Sequence, residues 1–462
     1  MAEELPSALI NSLQTATGFD ETAFKAVHRS GSQVVSVRLN SSKVPGASRV
    51  PSLKDIAGEK IPWSSHGYYL KERPLFTIDP LFHAGAYYVQ EASSMFLEEA
   101  IKQSCDVEQD LRVLDLCAAP GGKSTLIQSV ISENSLLVSN EVIRARAGIL
   151  VENITKWGAA NVVVTNNDPK DFKKLPAFFD CIVVDAPCSG SGLFRKDAAA
   201  IAEWSLNNVE LCSQRQQRIL ADIFDSLKPG GVLIYSTCSY STEEDEAIAD
   251  WLKDNYQVSN IRFQLSPGWE IVETVSGKHS CYGYRFYPDK VKGEGFFITA
   301  FRKETEAVEP WKEKRPNIKN LLPSKAEEQA ALKYLDANKS FNFLKWQNDM
   351  LAIPAAVFDA ALFVQQHLYI KKAGINMGSI IREELVPGHE WAMSTIAAEI
   401  FPVIEVNEAT ALDFLRRKDI NIHTVKRGWG VITFENITLG LVKILPNRVN
   451  NYYPKDWRIL NK

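Results

Sequence analysis

Between about Val89 and Lys303 strand-like runs alternate with helical patterns, and few folds accept that alternation. The runs are RVLDLCA, SLLVSNE, NVVVTNND, CIVVDAPC, GVLIYSTC and GEGFFITAFRK. Strands separated in this way by helices predict a parallel, doubly wound sheet, so the fold class is α/β. The runs are rich in Val, Ile and Leu without in/out alternation, as strands covered by helices on both faces must be. Ligands of such a sheet are expected beyond the carboxyl ends of the strands, near the point where strand order reverses.

At 462 residues the chain exceeds what one core organises, and several domains are expected. Residues 1–88 mix a short alternating stretch, QVVSVRLN, with Pro- and Gly-containing turns and read as a small α+β domain. The alternating segment occupies 89–303. The charged, Pro-punctuated stretch from Lys303 to Asn320 reads as a connection, making 304–385 a linker and intermediate segment of open role. Residues 386–462 read as a small β-rich module. Seven cysteines without a CxxC pair argue against a disulfide framework and a structural zinc site, so no metal is expected. There is no apolar run long enough for a membrane span, and the acidic N-terminus does not read as a secretory signal, so a cytoplasmic protein is expected. The net charge of −4 points away from nucleic acid, but from Ala411 to Lys462 ten Lys or Arg face four Asp or Glu, leaving +6 to hold phosphates. An ordinary solvated surface would explain that excess about as well.

The run Val113–Leu116 enters Cys117-Ala118-Ala119-Pro120-Gly121-Gly122-Lys123-Ser124 and then the helical TLIQSVI. Paired glycines let backbone approach a ligand, and free N–H groups at the helix start attract a carboxylate or phosphate. Gly-Lys-Ser invites a P-loop reading, but the motif's first glycine position is Cys117, and GxGxxG is absent too. The next strands end in acids: Glu141, Asp168 and Asp185. One such acid is more often a helix cap; three on consecutive strands favour a binding crevice, with the acid after the second strand suited to ribose hydroxyls and that after the third to an adenine amino group.

Two strands finish in thiols, Cys188 in Asp185-Ala186-Pro187-Cys188 and Cys238 in Ser236-Thr237-Cys238-Ser239. Carbon 5 of cytosine is a poor nucleophile, and a thiolate adding at carbon 6 supplies the missing electron density. A free thiol titrates near 8.5 and needs help to ionise. The run Ser239–Ala247, with Ser or Thr first and acids following, predicts a helix start whose dipole would favour a thiolate at Cys238. Asp185 would hold the N3 edge of the ring, and Lys196 would contact ring or phosphate. Cysteine is also a common inert core residue; Cys181 and the thiol of Cys117 are assigned to core. A base inside a duplex hides carbon 6, so the target must be unpaired or flipped.

At these residues the chain resembles the Sun-type family of RNA cytosine-C5 methyltransferases, most closely its bacterial RsmF-type branch. The resemblance covers nearly the whole sequence. It rests on Cys117–Lys123, on Asp185–Gly190, on Ser236–Ser239, on Arg38-Leu39-Asn40 and the stretch Phe82–Ser94, and on the ending Gly428–Trp457. It implies a Rossmann-like class I core that takes S-adenosylmethionine as methyl donor on Cys117–Lys123, with Glu141 on ribose, Asp168 on adenine and Asp185 beside the methionine and target base. It further implies Cys238 as nucleophile, Cys188 as the residue assisting product release, an N-terminal RNA-binding domain and a C-terminal PUA-like RNA-binding module. The expected substrate is 16S rRNA or the small ribosomal subunit, met by a monomer. The alternatives are the same chemistry on tRNA and a non-catalytic ribosome assembly factor, because a fold never proves an activity.

Overall fold

The computed structural model describes residues 4–304, 321–422 and 426–460. At its centre lies a ten-stranded mixed sheet. Seven of its strands carry labels: β1 (Arg112–Asp115), β2 (Leu136–Asn140), β3 (Val162–Thr165), β4 (Phe179–Asp185), β5 (Leu227–Thr237), β6 (Phe296–Lys303) and β7 (Ile370–Ala373). Their order is β7-β3-β2-β1-β4-β5-β6, continued by Tyr282–Phe286 and Val272–Val275, while Val258–Ile261 joins β6. β1 to β5 are parallel. The order reverses between β1 and β4, which is the expected place for a ligand.

The two faces explain the unbroken apolar runs. Leu114, Val138, Ile182, Val184 and Leu233 enter one core cluster, while Val113, Leu137, Cys181, Val183 and Ile234 enter another. Successive side chains point to opposite faces, so a strand buried on both must be apolar throughout.

Three expectations are corrected or refined. GEGFFITAFRK does form a strand, β6, but it runs antiparallel to β5. It is reached from the antiparallel pair Val272–Val275 and Tyr282–Phe286 instead of through a crossover helix. The intermediate segment is a folded unit: Phe341–Trp346, Asp349–Pro354, Ile375–Ile381 and Glu384–Pro387 form a four-stranded antiparallel sheet. It also lends β7 to the edge of the central sheet, antiparallel to β3. Its boundary is later than 386. The helix His389–Met393 belongs to this unit, because Trp391 is buried with Phe343, Met377, Leu385 and Ile396. The C-terminal sheet begins only at Val403–Glu405 and continues through Gly428–Phe434, Ile437–Ile444 and Val449–Asn451. The connection expected at 304–320 lies outside the described residues beyond Glu304.

The N-terminal unit has a four-stranded sheet of Ala57–Lys60, Gly67–Leu70, Val35–Leu39 and Tyr87–Val89. QVVSVRLN supplies its strand Val35–Leu39, buried throughout. The helices Ser7–Leu13 and Glu21–Arg29 pack Leu9, Ile10, Leu13 and Phe24 against Phe194, Val209 and Tyr240. The N-terminus therefore backs the loops that follow β4 and β5. Among the described residues no helix is long and apolar enough to cross a membrane.

Candidate active site

The carboxyl ends of β1 and β4 meet in a cleft of about 150 Å³ lined by Cys117–Pro120, Gly122, Lys123 and Asp185 from the sheet, and by Tyr88, Gln90 and Glu91 from the segment entering it. A wider depression of about 360 Å³ lies beside Glu133, Asn161 and Lys339. It sits at the amino ends of β2 and β3, where a doubly wound sheet does not place its ligand.

The Gly-rich loop is held from several sides. Gly121 takes φ +115°, a left-handed backbone that disfavours a side chain, and caps the helix α1 (Gly122–Val130). A Cβ on Gly122 would come within 3.3 Å of Tyr88. Arg38, buried, donates to Gln90 Oε1 at 2.8 Å and to Thr125 Oγ1 at 2.6 Å, tying the N-terminal sheet to α1. Asn40 Nδ2 donates to Gly85 O and Trp157 O, each at 3.0 Å. That accounts physically for the Arg38-Leu39-Asn40 signature.

Asp115, at the end of β1, was not singled out in the sequence. It is fully buried, takes a 2.6 Å bond from Ser124 Oγ on Oδ2, and has no partner on Oδ1. Burial pushes its carboxyl up to about 7. The strand-end acids do share one edge. Buried Glu141 follows β2, accepting from Ile143 N at 2.8 Å with Arg146 at 3.5 Å. Asp168 follows β3, half-buried, and caps the turn Pro169–Lys174 by accepting from Lys170 N at 3.1 Å. Asp185 ends β4 and accepts from Lys123 Nζ at 2.6 Å and Ser236 Oγ at 2.8 Å. Burial opposes the charge on Lys123, but Asp185 outweighs it and raises the amine. An orphaned buried carboxylate oxygen, a glycine cradle and acids spaced along the edge suit a ligand with ribose hydroxyls and a cationic methionine end, and S-adenosylmethionine fits that donor set.

Cys188 Sγ and Cys238 Sγ lie 3.1 Å apart, both half-buried. The contact with Cys238 and burial hold the Cys188 thiol well above its usual range. Burial likewise raises Cys117, which lines the cleft. The two cysteine loops are stitched together by Glu244, a buried acid that the sequence places only among those expected at the helix start. Its carboxylate accepts from Ser189 N at 2.8 Å, Ser189 Oγ at 2.5 Å, Ser239 Oγ at 2.7 Å and Gln216 Nε2 at 3.1 Å. Gly192 N donates to Cys238 O at 2.7 Å, and a Cβ on Gly192 would strike that carbonyl oxygen at 2.5 Å.

One site expectation changes. No helix starts at Ser239: the helix α2 covers Glu246–Asn255, and Glu244 and Asp245 fold inward ahead of it. Glu244, Asp245 and Glu246 are structural ligands, Glu244 between the cysteine loops and Asp245 and Glu246 on buried Arg285. Lys196 stands exposed on the turn after Ser191–Leu193, near buried Glu294. The lysine on Asp185 is Lys123. No group of three metal-ligating side chains occurs among the described residues.

The chain matches the family profile described as 16S rRNA methyltransferase RsmB/F over residues 103–302. It also matches the N-terminal domain of 16S rRNA methyltransferase RsmF over 5–92 and the methyltransferase RsmF PUA domain over 401–459. It is 31% identical to ribosomal RNA small subunit methyltransferase F of Aeromonas salmonicida, over 91% of this chain and 90% of that protein. With the same-named protein of Escherichia coli O7:K1 it shares 30% identity, over 86% and 84%. A methyltransferase homologue from Pyrococcus horikoshii superposes with a TM-score of 0.52 at 27% identity, covering 65% of this chain and all of that one. NSun6 from the same organism gives 0.54 at 19%, covering 66% of this chain and all of that one.

Proposed function

The chain belongs to the RsmB/F family of RNA methyltransferases, which form 5-methylcytosine with S-adenosylmethionine, and we propose that it methylates 16S rRNA through a covalent bond from Cys238 to carbon 6 of the target cytosine. The observation that carries the reading is the pair of thiols 3.1 Å apart, on loops at the neighbouring ends of β4 and β5, beside the Asp185–Lys123 pair.

Cys117–Lys123 would cradle the methionine end of the donor, Glu141 its ribose and Asp168 its adenine. Bound S-adenosylmethionine supplies an electrophilic methyl carbon. The chain's own residues make the cytosine ready to take it. Cys238 gives up its proton and forms a C6–S bond, and the displaced electron pair makes carbon 5 nucleophilic. The proton reaches N3, where the Asp185 carboxylate, fixed by Lys123 and Ser236, accepts the N3–H. Cys188 retains its proton while Cys238 ionises, because burial and the contact with its neighbour disfavour a second thiolate. Once methyl is on carbon 5, the hydrogen there must leave as a proton to a water beside Cys188, or to Cys188 itself once its thiol has passed its own proton to that water. The C5=C6 bond then re-forms, the C6–S bond breaks and Cys238 departs as a thiolate that recovers the proton from N3. Lys196, exposed at the rim, is suited to RNA phosphate.

The same reading has the protein act as a monomer in the cytoplasm, with its N-terminal and PUA-type modules holding RNA. Bisulfite mapping of ribosomal and transfer RNA from cells with and without the protein tests the substrate. One lost 16S site is expected; a tRNA site lost in its place overturns the substrate assignment. Cys238→Ser should abolish transfer, and Cys188→Ser should leave a protein–RNA adduct on a denaturing gel. Full activity in Cys238→Ser would overturn the mechanism.

A further inference from the structure

The intermediate unit is joined to the central sheet at one place that bears on the donor site. Between β3 and Asp168 lie Asn166 and Asn167, and both bind the backbone of Tyr369, the residue that leads into β7. Asn166 N and Asn167 Nδ2 each donate to Tyr369 O at 3.0 Å, while Tyr369 N donates to Asn167 Oδ1 at 2.9 Å. The buried side chain of Asn167 thus imitates one rung of a sheet ladder.

From there the bonds run inward. Asn140 Oδ1 accepts from Asn167 N at 3.0 Å and from Thr165 Oγ1 at 2.8 Å. Asn140 Nδ2 donates to Asn167 O at 3.0 Å and to Leu116 O at 3.2 Å, and its backbone O accepts from Ala118 N at 2.8 Å. Asn166 Nδ2 donates to Glu141 O at 2.6 Å. One connected set of polar groups therefore ties the Gly-rich loop, Glu141 and the residue preceding Asp168 to a backbone segment more than 200 positions away. Buried amides satisfied at both ends fix one geometry, because any shift leaves a donor or acceptor unpaired.

We infer that Asn167 is a positioning residue for S-adenosylmethionine, and that the intermediate unit completes the donor site by holding Asn167 through Tyr369. This rests on Glu141 and Asp168 being the nucleoside contacts. It gives the 321–396 unit a task in the reaction: it keeps the adenine end of the crevice in shape without touching the reacting atoms.

The test uses the full chain, with S-adenosylhomocysteine as calorimetric probe and labelled methyl transfer as second readout. Asn167→Ala removes both bonds with Tyr369, whereas the isosteric Asn167→Asp keeps the acceptor for Tyr369 N but sets an oxygen against Tyr369 O in place of the lost donor. Both should weaken probe binding and raise the donor KM roughly tenfold, the effect of losing about two net hydrogen bonds, with kcat on saturating donor within about twofold. Leu385→Ala, which hollows the core of the intermediate unit, should lower thermal stability at least as much and leave the donor KM alone. Wild-type affinity in Asn167→Asp, or an equal KM rise in Leu385→Ala, overturns the assignment. No binding of the probe by wild type would overturn the donor-site reading along with it.

Discussion

Replacing Glu244 with Ala removes a carboxylate that joins the two cysteine loops. The Ser189 and Ser239 hydroxyls can turn to other partners, and Gln216 keeps a bond to Pro187 O at 3.1 Å. What cannot be recovered is a partner for Ser189 N–H and for the second Gln216 amide hydrogen. At about 1–3 kcal/mol for each orphaned buried donor, the loss is roughly 4 kcal/mol. Burial raises the Glu244 carboxyl, so relief of that penalty returns part, leaving a net destabilisation of about 2–3 kcal/mol. Catalysis should suffer more than binding. A sulfur displaced by around 1 Å costs on the order of 100-fold in kcat, whereas the donor loop and Glu141 stand on β1 and β2 and should keep the donor KM. Urea unfolding followed by Trp fluorescence measures the first quantity, and single-turnover methyl transfer measures the second. Glu244→Gln, which keeps an acceptor oxygen, should fall between. An Ala variant with an unchanged unfolding midpoint and kcat within twofold of wild type would refute the role assigned to this carboxylate.

Glu294 is 1% exposed, neither carboxylate oxygen has a hydrogen bond, and burial pushes its carboxyl up to about 7 despite Arg195 at 3.5 Å. Its folded pKa exceeds the unfolded one, so the folded state loses stability as pH rises between the two, by about 3 kcal/mol when complete. Glu294→Gln should therefore stabilise the protein at pH 8 and change little at pH 4, read as urea midpoints; equal midpoint shifts at both pH values would refute this. Arg38→Met leaves Gln90 Oε1 without its buried donor and frees α1 from the N-terminal sheet. It should cost about 3 kcal/mol and weaken S-adenosylhomocysteine binding in calorimetry. Lys123→Met should lower kcat about 100-fold while leaving RNA affinity by filter binding nearly unchanged, and a variant as fast as wild type would remove Lys123 from the chemistry.

Sequence alone determined the parts of this protein that depend on short-range rules. Side chains of a strand buried on both faces are apolar throughout, so all six runs from RVLDLCA to GEGFFITAFRK are strands. A strand followed by paired glycines and a helix announces the loop at Cys117–Lys123, and Asp185, Cys188 and Cys238 close the strands where their motifs stand. Tertiary structure decided what pairs with what. That β6 reverses direction, that Lys123 reaches Asp185, that Glu244 and Asp245 fold inward ahead of a helix that starts only at Glu246, and that Trp391 belongs to the intermediate unit all depend on partners far away in the chain. Glu244 and Ser189 are 55 positions apart, and Asn167 and Tyr369 are 202 apart. No local period or turn rule spans those separations; only the closing of the sheet brings such groups within 3 Å, where burial then makes each bond obligatory.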